Sequence, residues 1–190
     1  WLMDDLDSPA GWADSLAALQ LPGVSDIVPA ASSVTVHCTR QHREAIGTAL
    51  DSVTASRITA MQIEEVVVEV VYDGPDLAEL AAIVGISPAE VVRLHVAGTY
   101  EVAFCGFSPG FGYLRGVEPR LHVPRRHTPR TSVPAGSVGV AAGYTCVYPS
   151  ASPGGWLLLG RTTQRLWDVD REPPALLQPG RTVRFKDVSP

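Results

Sequence analysis

The sequence predicts an α+β protein in which a small N-terminal α+β domain, residues 1–62, precedes an antiparallel β-barrel, residues 63–190. Among its 190 residues, 17 are glycine and 16 are proline, a content that favours many turns and therefore β structure. Apolar residues make up 45% of the chain, which is enough to bury a hydrophobic core. Short β-prone runs separated by Pro/Gly turns, typical of a barrel, follow the helical patterns of the first half.

Helix and strand patterns alternate in the N-terminal domain. The predicted elements are a helix capped by Asp7 or Ser8 and ended by Pro22-Gly23, strands at 24–29 and 33–37, and a second helix at 41–53. Such pieces in a short segment indicate a small α+β domain. We predict that it is ferredoxin-like and either complete or truncated at its first strand.

A β-prone run at 63–72 opens the second domain, and a two-helix insertion at 76–96 follows it. The first of these helices is predicted to end at Gly85, since glycine suits the left-handed position after a helix. The second begins with a capping box, Ser87-Pro88-Ala89-Glu90. Further strands are predicted at 100–104, 133–140, 141–148, 156–160, 166–169 and 182–185.

The two helices also resemble a DNA-binding helix-turn-helix, down to the glycine of the turn. Its recognition helix, however, would offer only Arg93 and His95 as long hydrogen-bond donors, and Glu90 would repel phosphate. A helix pair that packs on a sheet is therefore the favoured interpretation.

An aromatic stretch at 104–114 is the most distinctive part of the chain. Pro109 and Gly110 suit the two central positions of a type II turn, and Phe107, Phe111 and Tyr113 surround them. Large aromatic side chains beside a turn either pack against something or line something. The stretch therefore predicts a shaped turn at the rim of a pocket.

The same stretch matches G-x-S-x-G, the nucleophile elbow of hydrolases, at residues 106–110. That motif needs the residue after the serine to donate its backbone N–H to the oxyanion. Here that residue is Pro109, which has no N–H group. A serine hydrolase is therefore disfavoured.

Composition excludes several functional classes. A net charge of −5 argues against binding nucleic acid or an anionic membrane surface. Three scattered cysteines form neither a disulfide framework nor a zinc motif, so we expect free thiols in a reducing cytoplasm. No membrane span and no metal site are expected, and neither a P-loop nor a dinucleotide fingerprint is present.

Several multi-residue motifs follow one another in an order that resembles a known family. They are GFSPGFGYL from Gly106, the Pro-Arg pairs at 124–125 and 129–130, VPAGSVGV at 133–140, Val-Tyr-Pro at 147–149 and SPGGWLLLGRT at 152–162. In this order they resemble the B-subunit family of 5-oxoprolinase, also called allophanate hydrolase subunit 1 or KipI-like.

The resemblance implies a C-terminal barrel of the cyclophilin-like type and a role as one subunit of an ATP-dependent amidohydrolase complex, most simply 5-oxoprolinase. Implied partners are a C-subunit or KipA-like protein with a homologous barrel and an A-subunit-like protein. ATP would bind at an interface or on a partner. The alternatives are a subunit of the allophanate hydrolase or urea carboxylase type, and an inhibitor of a histidine kinase.

Two departures from the family pattern could alter the ligand. Family members usually have proline where Gly112 stands, and many have glutamine and glycine where Tyr144 and Cys146 stand. If that glutamine contacts a substrate amide, this chain would bind a different ligand or bind it weakly.

A small anionic amide substrate needs cationic forks, backbone donors and a shaped wall. His95 is a candidate general base and Ser137 a candidate polar catalytic group. For His95, a helix-end histidine that satisfies backbone carbonyls is an equally weighted alternative. The candidate substrate-binding residues are Phe107, Pro109, Gly110, Phe111, Tyr113, Arg125, Arg130, Gly139, Tyr148, Gly154, Gly155 and Arg161. For Arg125 and Arg130, ion pairing with structural acids is an equally weighted alternative, and for the glycines tight barrel turns are favoured. For Trp156, core packing is favoured over a place in the pocket wall.

Overall fold

The computed structural model describes residues 1–6, 9–52 and 65–190. Its Cα positions divide into two compact units, Trp1–Ile63 and Glu64–Pro190. The helix cap predicted at Asp7 or Ser8, the predicted end of the second helix at residue 53 and the first two residues of the run at 63–72 lie outside the described residues.

The first unit is a small sheet with two helices. Its elements are β1 (Leu2–Met3), α1 (Pro9–Ala18), β2 (Val24–Pro29), β3 (Val34–Cys38), a 3-10 turn (Arg40–His42) and α2 (Arg43–Ser52). The described strands pair antiparallel in the order β1-β3-β2. Leu16, Val34, Val36 and Ile46 form the centre of its core. The described part of the unit begins with β1, a strand of two residues that pairs with β3.

The second unit is built on a seven-stranded sheet. Its helices are α3 (Leu77–Val84) and α4 (Pro88–Ala97), with a 3-10 turn at Pro119–Leu121. The strands are β4 (Val66–Val70), β5 (Tyr100–Cys105), β6 (Gly112–Arg115), β7 (Arg130–Val133), β8 (Ser137–Ala141), β9 (Tyr144–Val147), β10 (Ser152–Gly154), β11 (Leu157–Arg161) and β12 (Thr182–Asp187). The other seven strands form the sheet, in the order β11-β8-β9-β6-β5-β12-β4. β7 and β10 form a separate antiparallel ribbon.

The seven-stranded sheet is nearly closed into a barrel, which confirms the predicted α+β fold class. Val71, just after β4, and Arg161, at the end of β11, exchange two backbone hydrogen bonds of 2.9 Å and so join the two ends of the sheet. The described sheet pairs are antiparallel apart from β4 and β12, which run parallel. Along β4 the side chains alternate between buried and exposed, as expected for a strand with one face on a core. The strand predicted at 166–169 is replaced by a single bridge between Trp167 and Ala175.

The predicted helix pair covers one side of the barrel core. Gly85 ends α3 with a φ of 72°, and the Ser87 hydroxyl accepts a hydrogen bond from the Glu90 N–H at 3.2 Å. Leu80, Ala81, Val91 and Leu94 are buried in the same cluster as the barrel valines. The helix pair therefore packs on the sheet, which is the favoured interpretation of the sequence.

Within the described ranges, no single helix is long and apolar enough to cross a membrane. Taken together, α3 and α4 have the length and apolar composition of a membrane span, but the two helices meet at a bend of 92°.

Candidate functional site

An open cleft lies beside the aromatic stretch of the second unit. We call it the aromatic cleft. It is lined by Phe107, Phe111, Tyr113, Arg125, Tyr148, Pro153, Gly154, Gly155 and Trp156. It holds about 330 Å³ of empty space, part of which is open to solvent. The cavity volume proper is about 90 Å³, well below the roughly 300–1,000 Å³ typical of small-molecule sites, so the cleft is shallow.

The loop at 106–111 forms one edge of the cleft through two successive turns. The Ser108 N–H donates to the Gly106 carbonyl at 2.8 Å, which closes a tight three-residue turn with Phe107 at its centre. The Phe111 N–H then donates to the Ser108 carbonyl at 3.0 Å, around Pro109 and Gly110. Gly110 has a φ of 80°, as the predicted type II turn requires.

Phe107 is held in an unusual state for an aromatic residue. Its φ is 69°, in the left-handed region that side chains other than glycine rarely adopt, and its side chain is 62% exposed. Backbone strain of this kind persists only where the surrounding structure enforces it, and it concentrates at binding sites. The turn therefore presents an apolar ring to whatever enters the cleft.

The floor of the cleft is a cluster of aromatic rings centred on Phe111. Its ring lies edge-on to those of Tyr113, Tyr148 and Trp156, with centroid distances of 5.0, 5.4 and 6.0 Å. Phe111, Tyr148 and Trp156 are almost fully buried. Burial raises the pKa of the Tyr148 hydroxyl, so it stays protonated and can donate a hydrogen bond. Trp156 thus serves both alternatives, packing in this core and lining the cleft.

Arg125 supplies the positive charge of the cleft. Its guanidinium carbon lies 5.9 Å from the centre of the Trp156 ring, a cation–π arrangement. The residue is exposed, and among the described residues no acid forms an ion pair with it. Its charge acts against the burial that raises the pKa of Tyr113. Arg125 is therefore free to take the carboxylate of a ligand.

Arg130 takes the alternative role that the sequence left open for it. Its Nη2 donates to Asp76 Oδ1 at 2.6 Å, and the Arg126 Nη1 donates to the same oxygen at 2.9 Å. Asp76 Oδ2 accepts the backbone N–H of Leu158 at 2.8 Å. The Asp76 carboxylate, only 2% exposed, raises the pKa of Arg130. Arg130 thus binds a structural acid and does not line the cleft.

Four other predicted binding residues lie outside the cleft lining. Pro109 and Gly110 shape the turn, and a side chain at Gly110 would meet Trp167 Cβ at 2.9 Å. Gly139 packs behind the cleft floor, where a Cβ would lie 3.2 Å from Trp156 Cβ. Arg161 pairs with Asp73 at 2.8 Å on the surface.

Ser137, a predicted catalytic group, is buried at the start of β8. Its N–H donates to the Pro134 carbonyl, and the neighbouring Gly136 N–H donates to the Tyr148 carbonyl at 2.7 Å. These donors are used within the barrel turn and are not available as an anion nest, so the favoured interpretation of tight turns fits them.

His95, the predicted general base, is fully buried in the barrel and does not line the cleft. Its Nδ1 lies 2.7 Å from the Tyr72 hydroxyl and its Nε2 lies 2.9 Å from Thr145 Oγ1. Thr145 gives its own proton to the Gly139 carbonyl at 3.0 Å, so His95 Nε2 must donate and His95 Nδ1 must accept from Tyr72. Burial lowers the pKa of His95 to about 3. The ring is therefore a neutral link between α4, the segment that follows β4, and β9.

Comparison with known proteins agrees with the motifs. The family "Carboxyltransferase domain, subdomain C and D" matches residues 4–177. The Escherichia coli O157:H7 protein named as the B subunit of 5-oxoprolinase is 41% identical over 184 residues, which cover 92% of this chain and 83% of that protein. The chain belongs to the 5-oxoprolinase B-subunit family.

Two further relatives are longer than the part they share with this member of the 5-oxoprolinase B-subunit family. The Bacillus subtilis (strain 168) protein of the same name is 43% identical over 116 residues, 61% of this chain and 48% of the relative. The crystal structure of TTHA0988 superposes with a TM-score of 0.86 at 36% identity and covers 100% of this chain. This chain spans 40% of that protein chain.

The three positions that depart from the expected family pattern lie outside the set of residues that line the cleft. At Gly112 a Cβ would lie 3.2 Å from Leu177 Cβ, so Leu177 occupies the space beside the glycine. Tyr144 packs edge-on against Tyr113, with ring centroids 6.0 Å apart. Cys146 is fully buried, and burial raises the pKa of its thiol. The residues at these three positions therefore support the cleft walls in this chain.

Sequence reasoning missed Pro153 in the cleft lining and Asp76 beside it. Pro153 lies within the Ser152–Gly155 turn motif, whose glycines are among the predicted binding residues. Asp76 has no signal in the sequence beyond its place before a helix. Among the described residues, no group of three or more His, Cys, Asp or Glu side chains lies together in a way that could hold a metal ion.

Proposed function

We propose that this chain is the B subunit of an ATP-dependent 5-oxoprolinase, which opens 5-oxoproline to glutamate, and that its aromatic cleft binds the substrate. The observation that carries the proposal is the 41% identity with a protein named as the B subunit of 5-oxoprolinase across 92% of the chain. On this proposal the chain is a hydrolase subunit that is incomplete alone. It works with a C-subunit or KipA-like partner and an A-subunit-like protein.

The chemistry of the cleft supports a ligand of this kind. 5-Oxoproline is a small ring with one carboxylate and one lactam amide. The unpaired Arg125 can hold the carboxylate through charge-assisted hydrogen bonds. The rings of Phe111 and Trp156 can pack against the apolar ring atoms, and the protonated Tyr148 hydroxyl can donate to the amide oxygen.

The residues of the cleft do not fit ATP. A triphosphate needs several cationic or backbone donors, whereas the side chains that line the cleft include one cation, Arg125. The cavity volume of about 90 Å³ is also too small to enclose a nucleotide. We therefore propose that ATP binds at an interface or on a partner, and we assign no step of the reaction to it in this cleft.

Reconstitution tests the function. The purified chain is mixed with the A and C subunits from the same genome, and glutamate formation from 5-oxoproline and ATP is measured. We expect negligible turnover from the chain alone and activity in the three-protein mixture. Equal turnover by the A and C subunits without this chain, or full turnover by this chain alone, would contradict the proposal.

A second candidate is a subunit of the allophanate hydrolase or urea carboxylase type. The description of the matching family as a carboxyltransferase domain favours it. The same mixture supplied with allophanate, or with urea, bicarbonate and ATP, separates the two. Release of ammonia or consumption of urea would favour the second candidate, and glutamate formed from 5-oxoproline the first. The histidine-kinase inhibitor and the cytoplasmic location stay predictions, the first of which a kinase autophosphorylation assay would test.

A further inference from the structure

Asp76 occupies a special position beside the aromatic cleft. It lies just before α3, yet its side chain makes no capping hydrogen bond to that helix. The carboxylate instead binds Arg126, Arg130 and the Leu158 N–H, residues 50, 54 and 82 positions away in the chain. A buried carboxylate with three charge-assisted or backbone partners is held in one place.

Both arginines that Asp76 binds lie next to the cleft wall. The Arg126 N–H donates to the carbonyl of Gly155, a lining residue, at 2.7 Å. Arg130 pairs in register with Gly154, another lining residue, between β7 and β10. The charges of Arg126 and Arg130 would therefore be felt inside the cleft if nothing offset them.

Nearby carboxylates neutralise the positive charges of Arg126 and Arg130. Glu79 Oε2 lies 2.6 Å from Arg126 Nη1, so two acids, Asp76 and Glu79, face the two arginines. Arg125, which precedes Arg126 in the chain, has no such partner among the described residues. The side chains of this group therefore leave one uncompensated positive charge at the cleft.

We propose that Asp76 is a specificity-determining residue, which neutralises Arg126 and Arg130 and so restricts the aromatic cleft to small ligands that carry a single negative charge. This inference rests on the proposed function in that it takes the cleft as the substrate site. A second negative charge on the ligand would find no further uncompensated cation among the residues that line the cleft, because Arg126 and Arg130 are already paired with acids. Dicarboxylates, phosphate and nucleotides are thereby disfavoured in favour of monocarboxylates.

The two arginines also have hydrogen-bond donors that the acids do not use. Arg126 Nε and Arg130 Nη1 are buried without a hydrogen-bond partner among the described residues. Asp76 thus sets the charge of the two guanidinium groups without using all of their donors. Without its carboxylate, both groups can turn donors and charge towards an anion in the cleft.

The test compares a monoanion with a dianion of similar size. Binding of 5-oxoproline, glutarate and inorganic phosphate to the full chain is measured by calorimetry and by intrinsic tryptophan fluorescence at low ionic strength. Wild-type protein is expected to prefer 5-oxoproline. In Asp76→Asn the ratio of glutarate to 5-oxoproline affinity should rise about 10-fold, as one added unit charge at close range implies, and the rise should shrink at about 0.5 M salt.

Further variants separate charge from folding. Glu79→Gln removes an acid that is half-exposed and should raise the same ratio by a smaller factor, even if Asp76→Asn fails to fold. Asp76→Asn with Arg130→Gln restores the balance of charge and should recover wild-type selectivity. Asp73→Asn, which removes the surface partner of Arg161, is the matched control and should change nothing.

The outcomes distinguish the two proposals. Binding of 5-oxoproline with a ratio that neither Asp76→Asn nor Glu79→Gln changes would overturn the role of Asp76 and leave the substrate site standing. Equal loss of all three ligands in Asp76→Asn, without recovery in the double variant, would show a structural role only and would also overturn it. Failure of wild-type protein to bind any of the anions would overturn the substrate site and this inference with it.

Discussion

Arg125 and Arg161 are both exposed arginines of the second unit, but their surroundings differ. Arg161 is paired with Asp73, whereas Arg125 stands over the Trp156 ring at the cleft. We expect Arg125→Ala to weaken binding of 5-oxoproline about 10- to 100-fold, since a hydrogen bond to a charged group contributes roughly 1.5–3 kcal/mol. Arg161→Ala is the control, with unchanged affinity by calorimetry. Similar losses in both variants would show that Arg125 has no special role.

Gly154 and Gly155 are adjacent residues of the cleft lining with opposite tolerance for a side chain. A Cβ on Gly154 would come within 3.0 Å of the Tyr148 ring, whereas on Gly155 it would lie 3.6 Å from the nearest atom. Gly154→Ala should therefore lower the free energy of unfolding by about 1–3 kcal/mol through overpacking. Gly155→Ala should leave it nearly unchanged. Urea unfolding measures both, and equal stability of the two variants would contradict the close approach of Gly154 to Tyr148.

The tight turn at 106–108 is an element under strain. Phe107 has a φ of 69°, which costs about 1–2 kcal/mol for a residue other than glycine. Phe107→Gly should thus be more stable than Phe107→Ala by about 1 kcal/mol, beyond what glycine loses elsewhere. Both variants should lose ligand affinity because both lack the ring. Thermal unfolding and calorimetry on the pair would reveal the reverse order if the turn were relaxed.

The hydrogen-bond chain through His95 makes the barrel sensitive to acid. His95 has a pKa of about 3 in the folded state, against about 6.5 in an unfolded chain. As the pH falls below about 6.5, the unfolded state binds a proton that the folded state excludes, so stability falls by up to about 1.4 kcal/mol per pH unit until the pH nears 3.

We therefore expect the free energy of unfolding of wild-type protein to drop between about pH 6.5 and pH 4 more steeply than that of His95→Gln. The variant should be less stable at neutral pH but flatter in its pH dependence, because glutamine can bond Tyr72 and Thr145 without titrating. Urea titrations at several pH values measure the difference. Parallel curves for the two proteins would contradict a neutral His95 in the acidified folded state.

Local signals predicted the elements well where the deciding contacts are local. The Gly85 stop, the Ser87 side-chain cap and the Pro109-Gly110 turn each depend on neighbours within four residues, and the structure has all three, although Glu90 binds Arg93 and does not complete the predicted capping box. The strand prediction at Trp167 was wrong because the apolar run there resembles a strand. Its loop is instead organised by Arg171, whose guanidinium donates to several backbone carbonyls.

Site residues were harder to predict because their partners are distant in sequence. Arg125 and Arg130 both follow a proline, and nothing local tells which of them meets Asp76, 54 positions before Arg130. His95 has the pattern of a helix-end histidine, yet Thr145, 50 positions later, fixes its tautomer. The aromatic residues were recognised because their number around a Pro-Gly turn has no use in a solvent loop.

At the scale of the whole molecule, every residue that lines the cleft and every residue of the Asp76 group belongs to the second unit. We propose that this unit is an independent domain. A fragment spanning Glu64–Pro190 should fold cooperatively and bind 5-oxoproline with the affinity of the full chain. Circular dichroism and calorimetry test this. A folded fragment without affinity would show that residues of the first unit contribute to the site.

The position of β12 has a consequence for how the protein is made. Thr182–Asp187 lie between β4 and β5, the first two strands of the second unit, so the earliest strands have no common neighbour until the latest one arrives. On the ribosome, β4 and β5 leave the exit tunnel long before β12. Until β12 emerges, the edge of each strand that pairs with β12 has unpaired backbone N–H and C=O groups. Synthesis that stalls ahead of residue 182 would therefore release an aggregation-prone chain that chaperones have to shield.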